Sequence, residues 1–249
     1  MTPRLRGRVR GHIALITLFG GLLAAGNAAA FRLVPIEMEL EPSGRGATQI
    51  FRVENDNRDA VAIEIKILAR KMGMNGEDVL SETGDEFVVF PEQMILQPGE
   101  NQSLRVQWVG DPKPDHELPY RLIAEQLPID IGKAPANGGQ VRLLVRYVAS
   151  LYIEPPGVKA AVSFVSAKQE TTPQGPALAI VLRNDGNARQ IMKEPTVTLS
   201  GGGKTVTLKA EQLAGLVGEN LLGGTTRQFL IPVPAGLPAG ALTGSIAFP

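Results

Sequence analysis

Polar and apolar residues alternate with a period of two along much of this chain. In residues 49–53, 61–67 and 103–109, every second side chain is apolar. This pattern is typical of β-strands that bury one face and expose the other to water. Turn-forming pairs such as Asn75-Gly76 and Pro98-Gly99 separate these stretches. The sequence therefore predicts an all-β protein.

The second half of the chain repeats the same rhythm. Its candidate strands are residues 160–167, 177–183, 196–199, 205–209, 227–233 and 244–248. Short strands at this spacing indicate β-sandwiches, and each half has about a hundred residues, the usual size of one immunoglobulin-like domain. Because Pro155-Pro156-Gly157 ends a strand and stiffens a linker, we predict two such domains, residues 31–154 and 158–249.

Helical patterns are scarce. Residues 211–222 form the one helical candidate of useful length, and the glycines at 215 and 218 weaken it. Residues 68–74 fit either the end of a strand or a short helical piece. The sequence leaves both segments open.

The first 30 residues have the three-part pattern of a secretory signal. Arginines stand at positions 4, 6, 8 and 10 with no acidic residue, residues 13–26 are apolar, and Ala28-Ala29-Ala30 supplies small residues for cleavage. The apolar part is shorter than the ~20 residues that span a bilayer. We predict a cleavable signal peptide over residues 1–30 and a mature protein in the periplasm, with an uncleaved membrane anchor as the alternative.

The composition excludes several classes of function. The chain has 25 Lys+Arg against 25 Asp+Glu, whereas a nucleic-acid-binding protein needs a basic excess. Cysteine is absent, and His116 is the one histidine after residue 30, in the proline-rich loop 111–119. No metal site or Ser-His-Asp set can be built from it. Residues 201–205 resemble a phosphate-binding loop only faintly, because the first glycine is missing. We therefore predict that the protein is not an enzyme and that it binds no metal, cofactor, ATP or nucleic acid.

Residues 140–153 stand out as a strand of fourteen residues without a turn residue. A typical strand has five or six residues. The odd positions are all apolar, and the even positions include Arg142, Arg146 and Ser150. A long apolar edge strand is an aggregation hazard unless a partner covers it.

Several motifs, in this order, resemble those of the periplasmic pilus-assembly chaperones of the chaperone–usher pathway. They are residues 51–55 (FRVEN), Phe90-Pro91, residues 96–106 (LQPGENQSLRV) and residues 119–128 (PYRLIAEQLP). The resemblance is strongest over residues 31–155. The second half resembles the family in length and strand character only.

The resemblance implies a fold of two immunoglobulin-like sandwiches in an L shape and a role in fimbrium biogenesis. Members of this family bind pilus or fimbrial subunits that lack their last strand, fill the open groove with the last strand of the first domain, and deliver the subunit to an outer-membrane usher. Here that strand would be residues 140–153, with Val141, Leu143 and Val145 filling the groove's pockets by β-augmentation. The alternative is that residues 140–153 form an ordinary core strand. The two interpretations are compatible if they apply to different parts of the strand.

The chain departs from the family where the subunit's C-terminal carboxylate is held. The family uses an arginine on the first strand and a lysine on the donor strand, and the alignment places Glu37 and Ser150 at those positions. The candidate anchors are therefore Ser150 and the nearby Arg32, Arg142 and Arg146, since arginine binds a carboxylate through two hydrogen bonds. The alternative for each arginine is that it is a solvent-exposed residue at a strand edge and binds no carboxylate. The chain is then a divergent branch with another anchor, or a paralogue with another client.

Two other functions stay open. The first is a structural or adhesive surface protein of two β-sandwich domains. A fimbrial subunit would need a donor extension, but residues 31–41 are short and contain Pro35 and three glutamates. The second is an exported hydrolase, which the shortage of histidine disfavours.

Overall fold

A computed structural model describes residues 31–129, 131, 143–237 and 240–249. The predicted signal peptide and two candidate site residues, Val141 and Arg142, lie outside the described residues. Apart from two short 3₁₀ turns, Gly44–Ala47 and Ala210–Gln212, the regular elements are all strands, which confirms the all-β prediction. Across the described residues, no helix has the length and apolar character that crossing a membrane requires.

The first half packs two sheets around one core. Its strands are β1 (Phe31–Val34), β2 (Glu37–Leu40), β3 (Thr48–Asn55), β4 (Val61–Met72), β5 (Asp78–Glu82), β6 (Phe87–Phe90), β7 (Gln93–Leu96), β8 (Asn101–Trp108), β9 (Leu118–Gln126) and β10 (Arg146–Ile153). One sheet has the order β1-β3-β8-β6, and the other has the order β2-β10-β9-β4-β5 with β7 paired to β4. Phe51 and Leu104 from the first sheet, and Leu122 and Leu151 from the second, are fully buried in the core.

The second half has its own core. Its strands are β11 (Val162–Thr172), β12 (Gly175–Asn184), β13 (Gln190–Ile191), β14 (Thr196–Gly201), β15 (Lys204–Leu208), β16 (Asn220–Leu221), β17 (Thr226–Pro232) and β18 (Thr243–Ala247). They form the sheets β11-β12-β17 and β15-β14-β18 and the pair β13-β16. Leu178 and Ile180 of β12 meet Val197 and Leu199 of β14 in the core.

The structure resolves the two open segments. β4 continues as a strand to Met72 because β5 pairs with its last residues, from Leu68↔Glu82 to Met72↔Asp78. The helical candidate 211–222 is not a helix beyond the 3₁₀ turn. Gly215 has a φ of +95°, and an added Cβ would lie 2.3 Å from the Leu230 carbonyl oxygen, so a glycine is required where the helix would run.

Each half contains a buried asparagine at the end of a strand, with the same hydrogen-bonding pattern. Asn55 ends β3 and Asn184 ends β12, and both side chains are almost fully buried. The Asn55 amide donates to the Leu96 carbonyl at 3.0 Å, and the Asn184 amide donates to the Leu221 carbonyl at 3.2 Å. Each also donates to the carbonyl four residues further along the chain. These bonds satisfy buried backbone groups at equivalent corners of the two sandwiches.

Candidate functional site

β10 has one free backbone edge. On one side it pairs antiparallel with β9 along its whole length. On the other side it pairs parallel with β2, but only from Ser150, opposite Glu37, to Ile153. Among the described residues, no strand pairs with this side at residues 146–149. Such an edge presents unpaired N–H and C=O groups to another strand.

The strand is shorter than the sequence predicts. Leu143 to Val145 have no strand conformation, and β10 begins at Arg146. The cause is its partner: β9 ends at Gln126, whose N–H donates to the Val145 carbonyl at 3.0 Å, and among the described residues no strand pairing continues past this bond. A strand needs a paired neighbour to satisfy its backbone groups.

The two described groove-filling candidates lie in different surroundings. The Leu143 side chain is 78% exposed, whereas Val145 is partly buried and packs against the core of the first half. Leu144 and Val148 add exposed apolar surface next to this edge. From Ala149 onward, the inward side chains of β10 are fully buried. The edge is therefore apolar and exposed only over its first part.

The three described candidate anchors, Arg32, Arg146 and Ser150, do not converge. Arg32 lies on β1 in the other sheet, where it forms ion pairs with Glu54 and Asp56, both at 2.6 Å. It does not line the cavity that Ser150 lines. Arg146 is exposed at the start of β10. Among the described residues, neither Arg32 nor Arg146 reaches Ser150: Arg32 belongs to the other sheet, and Arg146 lies four residues earlier on the same face of β10, about 13 Å along the strand.

A cavity of about 280 Å³ opens beside Ser150, between the two halves of the chain. β4, β9 and β10 line it from the first half, and the segment around Asn220 and β17 lines it from the second. Three arginines face it: Arg70, Arg121 and Arg227. Sequence reasoning missed all three because they lie far apart in the chain and only strand register and domain packing bring them together.

Asp78 holds two of these arginines in place. Its carboxylate accepts a hydrogen bond from Arg70 Nε at 2.6 Å and from Arg121 Nε at 2.7 Å. Burial opposes ionisation, but the bonds to Arg121 and Arg70 outweigh it and hold the pKa of Asp78 below its ordinary value. Arg121 also donates through Nη1 to the hydroxyl of Ser150. Asp78 therefore holds each guanidinium through Nε, which leaves Nη1 of each arginine to bond elsewhere.

The third arginine comes from the second half. Arg227 Nη2 donates to Glu219 at 2.5 Å and Nη1 donates to the Asn220 carbonyl at 2.6 Å. Its Nε and the Asn220 side-chain oxygen are buried and have no hydrogen-bond partner within the described part of the chain. Buried polar atoms without partners are rare in folded proteins and mark places where water or a ligand completes the bonding.

Arg189 joins the two halves behind this cavity. Its side chain is 7% exposed and donates to Glu117, whose own side chain is 3% exposed. Its guanidinium lies 3.8 Å above the ring of Tyr152, near the end of β10. Burial raises the pKa of Glu117, and Arg189 opposes that shift. The remaining carboxylates around Arg189 are Glu37, Glu39 and Glu154.

Tyr152 connects this ion-pair cluster to the cavity. Its hydroxyl accepts hydrogen bonds from Arg70 at 3.2 Å and from Asn220 of the second half at 2.8 Å. The side chain is fully buried. The end of β10 is therefore bound to both halves of the protein.

His116 has no place in this cavity. Its side chain is 58% exposed, and its Nδ1 lies 2.5 Å from the neighbouring Asp115 carboxylate. In the part of the chain that the structure describes, no group of three or more acidic or histidine side chains could hold a metal ion.

Residues 39–159 match the family model of the pili and flagellar-assembly chaperone, PapD N-terminal domain. A search of curated proteins found no match.

Several solved structures share the fold over both halves. The class 5 fimbriae chaperone CfaA aligns with a TM-score of 0.54 and 16% identity, covering 88% of this chain and 100% of that chain. A chain of the CsuC-CsuE chaperone–tip adhesion subunit complex of Acinetobacter baumannii aligns with a TM-score of 0.56 and 18% identity, covering 84% of this chain and 90% of that chain. These likenesses confirm the predicted fold class.

Proposed function

Because this chain belongs to the family of pilus-assembly chaperones, we propose that it binds pilus or fimbrial subunits in the periplasm. It caps the open groove of a subunit by donating β10 and the residues just before it. The observation that carries this proposal is the free edge at residues 146–149, next to the exposed apolar side chains of Leu143, Leu144 and Val148.

The physical basis is β-augmentation. A guest strand on this edge gains main-chain hydrogen bonds, and alternate side chains of the donor segment fill apolar pockets of the guest. Leu143 can supply such a side chain without leaving the chaperone's own core, because it is exposed in the free protein. Val145 is shared between the chaperone's own core and the guest. Val141 completes the set in the sequence pattern, although it lies outside the described residues.

Delivery follows from the same chemistry. A subunit held only by an added strand is released when a better-fitting strand of another subunit replaces it, so neither ATP nor a cofactor is needed. The exchange partner is an outer-membrane usher complex, reached after export through the signal peptide. One structure of the same fold is a pre-assembly complex of the chaperone CsuC with the tip adhesion subunit CsuE, which supports this kind of partner.

The test is the substitution Leu143→Asp. Full burial of a leucine side chain contributes roughly 1.5–3 kcal/mol, and burying an unpaired carboxylate adds a further cost. We expect the variant to lose subunit binding by more than a hundredfold, with unchanged stability because residue 143 is exposed. The matched control is Leu230→Asp, which changes an exposed leucine on β17 and should bind normally.

The assay is affinity purification of the tagged mature protein from its native periplasm, followed by mass spectrometry. Recovery of a stoichiometric β-rich subunit with wild type and Leu230→Asp, but not with Leu143→Asp, supports strand donation. Equal recovery with Leu143→Asp contradicts the groove assignment. Recovery of no subunit, from cells that express pilus subunits, favours the alternative of a structural or adhesive surface protein.

A further inference from the structure

The β4–β5 hairpin extends beyond the sheet to which it belongs. β4 has twelve residues, about twice the usual length of a strand, and β9 pairs with it only as far as Ala69. Past that point β5 is the one described strand that pairs with β4, and residues 72–77, here called the arm, lead the chain from β4 into β5. The arm is internally bonded, because the Gly73 N–H donates to the Glu77 carbonyl at 2.9 Å and the Gly76 N–H donates to the Gly73 carbonyl at 3.0 Å.

The arm contacts the second half of the chain in three ways. The Met72 side chain packs against the second core, although Met72 is the last residue of β4 in the first half. The Gln228 N–H of β17 donates to the Met74 carbonyl at 2.7 Å. Gly76 lies so close to the Arg227 guanidinium that an added Cβ would stand 2.3 Å from its atoms. Side-chain packing, a main-chain hydrogen bond and a close backbone approach thus join the arm to β17 and to the core behind it.

A second group of contacts between the halves centres on Arg189. This side chain pairs with Glu117 and lies over the ring of Tyr152, whose hydroxyl accepts a hydrogen bond from Asn220. In the linker, Gly157 has a φ of +85° and open space beside it, so packing does not hold the linker there. Two groups of contacts at different places fix the angle between the halves, whereas one group and an unpacked linker leave a hinge.

We propose that the arm is a latch between the two halves: when closed it fixes their angle, and it opens while each half stays folded. Each half keeps its own core in the open state. The contact is small, with one main-chain bond, a partly buried Met72 and a Met74 that is 46% exposed, and interfaces of this kind permit motion between domains. Because Gly76 lines the cavity beside Ser150 from the first half and Arg227 lines it from the second, the latch sets the size of that cavity.

Hydrogen exchange of single amides, followed by NMR on the mature protein, tests the latch. The Gln228 N–H bonds to the arm, whereas the Phe229 N–H points to the other side of β17, toward β12, because bonding directions alternate along a strand. In wild type the Gln228 amide should exchange at least about tenfold faster than the Phe229 amide, since opening the latch does not unfold β17. Equal exchange rates overturn the latch, because the arm then separates only when the second half unfolds.

Two variants weaken the latch by different means. Gly76→Val places a β-branched side chain at a φ of +86°, and Met72→Ser removes the apolar packing on the second core. Each should raise the exchange rate of the Gln228 amide roughly tenfold or more and leave that of Phe229 unchanged. Unchanged exchange at Gln228 in both variants overturns the latch. An equal rise at Phe229 does so as well, because it reports unfolding of the second half.

The angle between the halves is measured with spin labels. The chain has no cysteine, so labels are placed through Arg52→Cys in the first half and Lys168→Cys in the second, at side chains that are 63% and 70% exposed. Wild type should give one narrow distance distribution, and Gly76→Val should widen it at least about twofold, because the linker then acts as a hinge. A distribution that stays narrow in Gly76→Val and in Met72→Ser overturns the latch.

The matched control is Gly203→Val. Gly203 lies at the tip of the β14–β15 hairpin, with a φ of +75° and no atom near an added Cβ. The substitution therefore introduces the same backbone strain at a hairpin that joins nothing to the other half. It should leave both the Gln228 exchange rate and the distance distribution at their wild-type values. The same changes in Gly203→Val as in Gly76→Val contradict a role specific to the arm.

Discussion

Replacing Arg189 with methionine tests how the two halves of this protein are held together. The wild-type guanidinium is almost fully buried and pairs with Glu117, whose side chain is also almost fully buried. Methionine keeps an apolar chain against the ring of Tyr152, but it removes the charge. The substitution therefore leaves the Glu117 carboxylate buried without its counter-ion.

The expected loss in the free energy of unfolding is about 3–5 kcal/mol, the usual cost of removing one partner of a buried ion pair. The pairs with Glu39 and Glu154 add little, because those carboxylates are 55% and 42% exposed. The double substitution Arg189→Met/Glu117→Gln should recover part of the loss. Glutamine has no charge to leave unpaired, and its side-chain oxygen still accepts the hydrogen bond from the Arg189 backbone N–H that Glu117 accepts at 3.1 Å.

Urea denaturation measures these differences with two probes. Trp108 is the only tryptophan and is buried in the first core, so its fluorescence follows the first half, while far-UV circular dichroism follows both. The control Arg183→Met removes an exposed ion pair with Asp185 and should change stability by less than about 1 kcal/mol. A loss below about 1 kcal/mol in Arg189→Met, or a double variant as unstable as the sum of the single ones, refutes this reasoning.

Two further predictions concern single side chains. Asn184→Ala should destabilise the second half by roughly 3 kcal/mol, because buried backbone groups that now bond to the Asn184 side chain would lose their partner. Urea denaturation followed by circular dichroism should then show a lower midpoint. Asp78 has a lowered pKa in the folded protein, so the unfolded chain binds its proton more tightly. The stability that Asp78 contributes is present above its ordinary pKa and is lost as the pH falls through the lower folded value. Denaturation between pH 5 and pH 3 should therefore show a smaller loss of stability in Asp78→Asn than in wild type, and parallel losses contradict the assignment.

Sequence patterns predicted the strands because strand periodicity is a local property. Alternation over residues 61–67 identified β4, and alternation over residues 103–109 identified β8; the pattern also predicted most of the side chains that each strand buries. The ends of β10, in contrast, could not be predicted from local sequence. Its first residue depends on where β9 ends, some twenty positions earlier in the chain, so the predicted strand 140–153 was longer than the observed one.

The conformation of one glycine explains why residues 211–222 do not form a helix. The sequence showed glycines at positions 215 and 218 but could not show that Gly215 lies against the Leu230 carbonyl. That contact comes from tertiary packing, and it requires a residue without a side chain.

What the sequence determined by itself is therefore the class of fold and the family likeness, and it also pointed to the segment that we propose as the strand donor. These properties depend on patterns within short stretches of chain. The tertiary structure alone decided which charges meet at the end of that segment. Arg70, Arg121 and Arg227 come from three different strands and both halves. Their convergence depends on the register of β4 and β9 and on the packing of one half against the other, which no local pattern records.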